Sequence, residues 1–146
     1  MSDMSVLSHE YKTASDLSQS ISNALIILKK VRYNLPGGET IDAEQLNDSV
    51  HTLAEILTAL VNLLSASRAH HVKDTTTVQI PGALVVRLQT ERRGDHAYYL
   101  DDLSRVAAQL HAEPLQLSNE DLALLDHLAM LADAEASSVF RRLMRL

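Results

Sequence analysis

Histidine and carboxylate residues at helical spacing are the part of this sequence best suited to chemistry. Asp48, His51 and Glu55 follow one another at steps of three and four, so they share one face of a helix. Metal sites in helical bundles point into the core and pair Glu-x-x-His motifs on two helices. The sequence contains no Glu-x-x-His motif, and His51 and Glu55 fall outside the leucine seam of their helix. We therefore predict a solvent-exposed ion pair and assign no metal ligand.

The other histidines give no stronger indication of catalysis. His70 and His71 are adjacent, so their rings diverge and would hold a metal weakly. Asp126 and His127, with Asp133 one heptad after Asp126, form a polar face on the last predicted helix. No Gly-x-Ser-x-Gly elbow selects a nucleophilic serine, and the absence of cysteine excludes thiolate chemistry. We assign no catalytic residue.

A phosphate-binding loop is not indicated either. Gly37-Gly38 is the only pair of adjacent glycines, and it follows a predicted helix instead of preceding one. It also lacks the lysine and hydroxyl residue of a P-loop. We interpret the pair as a helix–helix turn and predict no cofactor.

The charge pattern argues against a nucleic-acid partner. The formal net charge is −6, whereas a general nucleic-acid binder carries a basic field. A helix-turn-helix between Leu103 and Leu125 would begin its recognition helix with Asn119, Glu120 and Asp121, whose carboxylates repel phosphate. The basic clusters lie at the ends of predicted helices, where they complement the helix dipoles.

A membrane location is not expected. Residues 1–8 lack the basic and apolar regions of a secretory signal. The longest uncharged helical stretches, Leu17–Leu28 and Ile56–Ser67, each have 12 residues, short of the ~20 that span a bilayer. We expect a soluble, cytoplasmic protein.

The elements that position these residues are predicted to be helices. One Phe, four Tyr, no Trp, four Gly and three Pro favour helices packed on helices over a sheet. Apolar residues repeat at alternating steps of three and four, first over 8–35 and again over 40–70, which predicts two long helices. The break between them at Leu35–Gly38 is short, so the two helices are predicted to form an antiparallel hairpin. Thr40 is the predicted cap of the second helix. The first seam is Ala14, Leu17, Ile21, Ala24, Leu28, Val31 and Leu35, and the second is Ala43, Leu46, Val50, Leu53, Leu57, Leu60 and Leu64.

The segment 71–94 is a linker with one element whose type stays open. A helix from Pro81 to Arg93 is preferred, with Pro at its first position and Gly94 past its end. A short β-hairpin near 76–90 is the alternative, because Val78, Ile80, Leu84, Val86 and Leu88 also alternate as strand residues do.

Residues 95–146 are predicted to form C-terminal helices. Asp95 is a candidate cap for a helix over about 96–112, and Ser118 for a last helix with Glu120 and Asp121 in its first turn. The last helix carries a third seam with three alanines, which permits close approach of another helix at its middle. That seam is Leu122, Leu125, Ala129, Ala132, Ala136, Val139 and Leu143. The whole chain, 1–146, is thus predicted to be a single all-α domain, a helical bundle.

Several residues outside the seams are candidates for contacts with another chain. Ile26 lies almost opposite the first seam, and Leu124 and Leu131 form a ridge with Leu128 beside the third. Tyr98 and Tyr99 are either interface anchors or residues that pack in the core and over a loop. The basic, apolar tail supplies three more candidates, Arg141, Arg142 and Arg145.

These patterns favour a non-enzymatic interaction protein: an oligomeric adaptor, a chaperone-like protein or a small regulator that acts through apolar helix faces. We expect a homo-oligomer or a protein partner. A small-ligand or metal module between helices is the first alternative, and an enzyme using His and carboxylate residues is the second. Whether the hairpin closes within one chain or exchanges between chains stays open, because both arrangements use the same seam.

Overall fold

The fold is all-α, as predicted. A computed structural model describes residues 2–69, 78–90, 99–113 and 115–145, and these contain helices and no strand. The helices are α1 (Ser2–Arg32), α2 (Ala43–Ala69), α3 (Gly82–Thr90), α4 (Tyr99–Leu110) and α5 (Asn119–Met144), with a 3₁₀ turn at Gly38–Thr40. None of the described helices is both long and apolar enough to cross a membrane.

The helical hairpin forms from α1 and α2, and most of both seams is buried. Helix α1 begins at Ser2, earlier than the predicted Ser8. The predicted seam residues at the C-terminal end of α1 are not buried: Val31 is 38% exposed and Leu35 is 42% exposed. Leu35 lies beyond the end of α1, in the turn, so it no longer follows the helical spacing.

The turn between α1 and α2 depends on two glycines, which confirms their structural interpretation. Gly37 has a φ of 91°, a left-handed conformation that favours glycine. A Cβ on Gly38 would lie 2.5 Å from the backbone oxygen of Lys30, so the chain approaches too closely for a side chain. The predicted cap at Thr40 is wrong, because the 3₁₀ turn holds its hydroxyl, which donates to the Gly37 oxygen at 2.8 Å.

Asp42 caps α2 instead. The Gln45 N–H donates to Asp42 Oδ1 at 2.8 Å, and the Asp42 N–H donates to Gln45 Oε1 at 3.1 Å. This reciprocal pair is a capping box, and it places the start of α2 at Ala43.

Helix α1 makes its most extensive contact with α5, which runs antiparallel to it. The alanines predicted to permit close approach are buried, and Ser18 Oγ donates to the backbone oxygen of Ala129 at 3.1 Å. A side chain as short as that of serine can reach the backbone of a neighbouring helix only where the two helices approach closely, which small residues permit. Helix α1 therefore packs on two sides, against α2 and against α5.

The two short helices complete the core. Helix α4 packs against α2 and buries Leu103, Val106 and Leu110. Helix α3 confirms the preferred interpretation of 82–90, burying Leu84 and Leu88, and the Pro81 oxygen accepts from the Leu84 N–H. The β-hairpin alternative is wrong for these residues. The candidate cap Asp95, the dipeptide His70-His71 and residues 91–94 lie outside the described residues.

Candidate interaction face

The residues first considered for chemistry do not converge. His51 Nε2 and Glu55 Oε1 lie 2.7 Å apart with both side chains well exposed, which confirms a solvated ion pair. Asp126 forms an ion pair with Lys29 across the α1–α5 interface. Among the described residues, no three His, Asp or Glu side chains are placed to hold a metal ion.

The carboxylate of Asp121 has a structural role. It accepts from the Ser118 N–H at 3.0 Å, and the Asp121 N–H donates to Ser118 Oγ at 3.1 Å, so Ser118 caps α5 as predicted. Arg105 of α4 donates to the same carboxylate at 2.5 Å. Burial raises the pKa of Asp121, but the hydrogen bond from Ser118 and the Arg105 guanidinium outweigh burial and hold the pKa below its ordinary value. The network joins α4 to α5, and each oxygen of the Asp121 carboxylate accepts a hydrogen bond within it.

A second ion pair joins α3 to α5. Arg87 Nη2 lies 3.2 Å from Glu135 Oε1, and the Glu135 side chain is largely buried. A buried carboxylate needs such a partner, because an unpaired charge in the core is strongly destabilising. Neither pairing could be predicted from spacing, since each connects helices whose relative placement the sequence pattern does not give.

One side of the α1–α5 pair carries three further contacts between the helices. The rings of Tyr11 and Phe140 have centroids 5.7 Å apart, and Lys29 Nζ lies 2.6 Å from Asp126 Oδ2. Tyr33 Oη donates to Asn119 Oδ1 at 2.7 Å. Tyr11 and Lys29 are 18 residues apart, about five helical turns, and Asp126 and Phe140 are 14 apart, about four turns. The three contacts therefore lie along one side, which we call the outer face.

Exposed apolar side chains concentrate on the outer face. Met130 is 68% exposed, Met144 71% and Ile26 49%. Helical spacing places them beside the three contacts: Met130 follows Asp126 by four residues, Met144 follows Phe140 by four, and Tyr33 follows Ile26 by seven. Of the ten large hydrophobic side chains that are exposed among the described residues, six lie on this face: Met4, Ile26, Tyr33, Met130, Phe140 and Met144.

The predicted contact residues divide between this face and the core. Ile26 is exposed as expected for a residue opposite its seam. Leu131 is buried and Leu124 is partly buried against the core, so both pack within the chain, and their assignment as contacts for another chain is corrected. The ridge they form is covered because α5 buries two sides of its surface. Tyr98 and the side chain of Tyr99 lie outside the described residues.

The three arginines lie at the end of α5. Arg141 and Arg145 are exposed, and Arg142 lies 3.6 Å from Glu10 of α1. The neighbouring Met130, Phe140 and Met144 were not predicted as contact residues. The sequence does contain a pattern that includes them, because the exposed positions of α5 also recur at steps of three and four. That pattern is hard to recognise, because serine, aspartate and arginine residues lie between the apolar ones.

Two open clefts lie elsewhere. A cleft of about 440 Å³ between α1 and α2 is lined by polar side chains that include His9, Lys12, Asp16 and Glu55, above Leu17 and Ile56. A cleft of about 320 Å³ lies between α2 and the end of α4. Comparisons of the chain with protein-family models, with curated proteins and with solved structures found no match.

Proposed function

We propose that this protein is a non-enzymatic interaction protein that contacts another protein through the outer face. The observation that carries the proposal is the concentration of exposed Met130, Phe140 and Met144 beside Arg141 on one side of the α1–α5 pair. Methionine, aromatic and arginine side chains are enriched in protein interfaces. An adaptor, a chaperone-like protein or a small regulator would use such a face.

The rigidity of the pair supports the proposal. Helices α1 and α5 are joined by a ring contact, an ion pair and a hydrogen bond along the outer face itself, and by the Ser18–Ala129 bond behind it. A face that is already ordered loses little conformational entropy on binding, so more of the contact energy appears as affinity.

Site-specific photocrosslinking tests this proposal. A photoreactive residue at Met130 or Phe140 is expected to form a discrete adduct with one protein species, which includes a second copy of the chain. The matched controls are Thr58 on α2 and Val86 on α3, which are exposed but lie off the outer face. The species captured is then purified, and the Met130→Arg variant should weaken its binding at least about tenfold. Equal labelling from all four positions, or none from the outer face, would overturn the proposal.

A small-ligand module is the second candidate, favoured by the cleft between α1 and α2. Lys12 offers a positive charge there and Asp16 and Glu55 offer negative ones, so the cleft suits a small zwitterion. It ranks second because ligand pockets usually bury most of the ligand, and this cleft is open to solvent. Native mass spectrometry is expected to show an extra small mass that Asp16→Asn removes, and an unchanged mass in the parent protein argues against it.

A further inference from the structure

The exposed side of α5 carries a complete stripe with coiled-coil spacing. Its residues recur at steps of four and three, and every one of them except the partly buried His127 is exposed. This stripe, which we call the outer stripe, consists of Ala123, His127, Met130, Ala134, Ser137, Arg141 and Met144. Such spacing continued along 22 residues, or ~33 Å, fits the surface of another helix.

Charge is distributed unequally along this side of α5. Glu120 and Asp126 lie in its first half, and Arg141 and Arg145 lie in its last turns. Two copies of α5 aligned in parallel would place arginine beside arginine, and the antiparallel alignment places the arginine-containing end of one copy at the acidic first turn of the other. If Met130 and Ala134 lie at the centre, Arg145 of one copy falls opposite Glu120 of the other, because both are about equally far from that centre.

The small residues of the stripe suit the same arrangement. Ala123, Ala134 and Ser137 permit close approach of a second helix, while Met130 fills the space at the centre. Ile26 on α1 is a further exposed apolar residue on the outer face. An isologous contact of this kind uses the same residues on both sides, so it closes after two copies.

We propose that the partner of the outer face is a second copy of this chain, joined by antiparallel pairing of the two α5 helices about a two-fold axis near Met130. This inference rests on the proposed function and names its partner. A strip ~33 Å long and ~10 Å wide covers of order 300 Å² per copy, which is less than the interfaces of stable dimers bury and is expected of a weak, transient dimer. The dimer is therefore concentration-dependent, and at low concentration the copies separate.

A charge exchange between two variants is the test. Sedimentation equilibrium from about 5 µM to about 1 mM is expected to show a monomer–dimer equilibrium for the parent protein, with a dissociation constant within that range. Glu120→Arg alone and Arg145→Glu alone should each weaken the dimer about threefold to tenfold, because each places like charges together twice. An equal mixture of the two variants should recover a heterodimer of parental affinity, since both of its pairs are then opposite in charge.

Two further variants fix the position of the axis. Met130→Arg should weaken the dimer at least about tenfold, while Val86→Arg, at another exposed apolar position, on α3, should leave it unchanged. Circular dichroism checks that each variant keeps its helices. A chain that stays monomeric at about 1 mM, or a mixture of charge variants that recovers nothing, would overturn the inference. Crosslinks from Met130 to a different protein would overturn it too, while leaving the proposed function in place.

Discussion

The residues on the two sides of α5 recur at the same steps of three and four, but one side is buried and the other is exposed. The inner seam, from Leu122 to Val139, is buried against the rest of the chain, and the outer stripe is mostly exposed. The inner seam contains only leucine, alanine and valine, whereas the outer stripe mixes Met130 with alanine, serine, histidine and arginine. Apolar spacing of three and four residues therefore identifies a helix face that can pack against another helix. The amino-acid composition of that face then indicates whether it is buried within the chain or exposed.

Truncating one side chain on each side of α5 to alanine should give the largest difference in the free energy of unfolding. Leu128 is fully buried and Met130, two residues later, is 68% exposed. Leu128→Ala should lower the free energy of unfolding by about 2–5 kcal/mol because it leaves a cavity. Met130→Ala should change it by less than about 0.5 kcal/mol. Urea unfolding at low protein concentration measures both, and equal losses would contradict the assignment of the two sides.

Replacing an alanine by leucine should also destabilise the fold more on the buried side of α5 than on the exposed side, but by a smaller amount. Ala132 is fully buried in the seam, and Ala134 is exposed in the outer stripe. Ala132→Leu should destabilise the fold by about 1–3 kcal/mol, since a closely packed interface has no room for three more carbon atoms. Ala134→Leu should be nearly neutral for unfolding. Thermal unfolding of both variants provides the measurement, and a neutral Ala132→Leu would mean that the seam is loosely packed.

Neutralising a carboxylate in the first turn of α5, either the buried Asp121 or the exposed Glu120, should give the smallest difference in the free energy of unfolding. This difference should also depend most strongly on pH. Asp121→Asn should lower the free energy of unfolding by about 1–2 kcal/mol at neutral pH, because the buried carboxylate loses charged hydrogen bonds. Glu120→Gln, at the neighbouring exposed position, should have less than about 0.5 kcal/mol of effect.

The pH dependence has a definite sign. The folded pKa of Asp121 lies below its ordinary value, so the folded state is stabilised by this group above about pH 4 and loses that contribution as pH falls through the folded pKa. Unfolding measured between about pH 6 and about pH 3 should therefore show a smaller acid-induced loss in Asp121→Asn than in the parent or in Glu120→Gln. Identical pH profiles in all three proteins would show that the pKa is not lowered in the folded state.

Local features of the fold were predictable from the sequence, and relations between helices were less so. The Ser118 cap, the alanine seam of α5 and the glycine turn follow from short-range patterns, and the structure confirms all three. The cap of α2 was misplaced because Thr40 and Asp42 are both good capping residues, and only Asp42 has Gln45 three residues later to complete the box.

The pairing of seams could not be obtained from spacing. Three similar heptad series do not indicate which one faces which. The short break at Leu35–Gly38 predicted the α1–α2 hairpin, but nothing in the spacing predicted the more extensive α1–α5 contact. The ion pair of Arg105 with Asp121 depends on the relative placement of the helices, and so does the Lys29–Asp126 ion pair across the α1–α5 interface. Both require a tertiary structure because the sequence pattern fixes only distances along one helix.

The pairing of α1 with α5 has a consequence for synthesis on the ribosome. Ser18 and Ala129, which are bonded in the folded protein, are 111 residues apart. At ~5–20 residues per second, the ribosome completes that interval in about 6–22 s. During this time the face of nascent α1 that packs against α5 in the folded protein lacks that partner. The most extensive helix–helix contact of the fold can therefore form only after α5 has been synthesised.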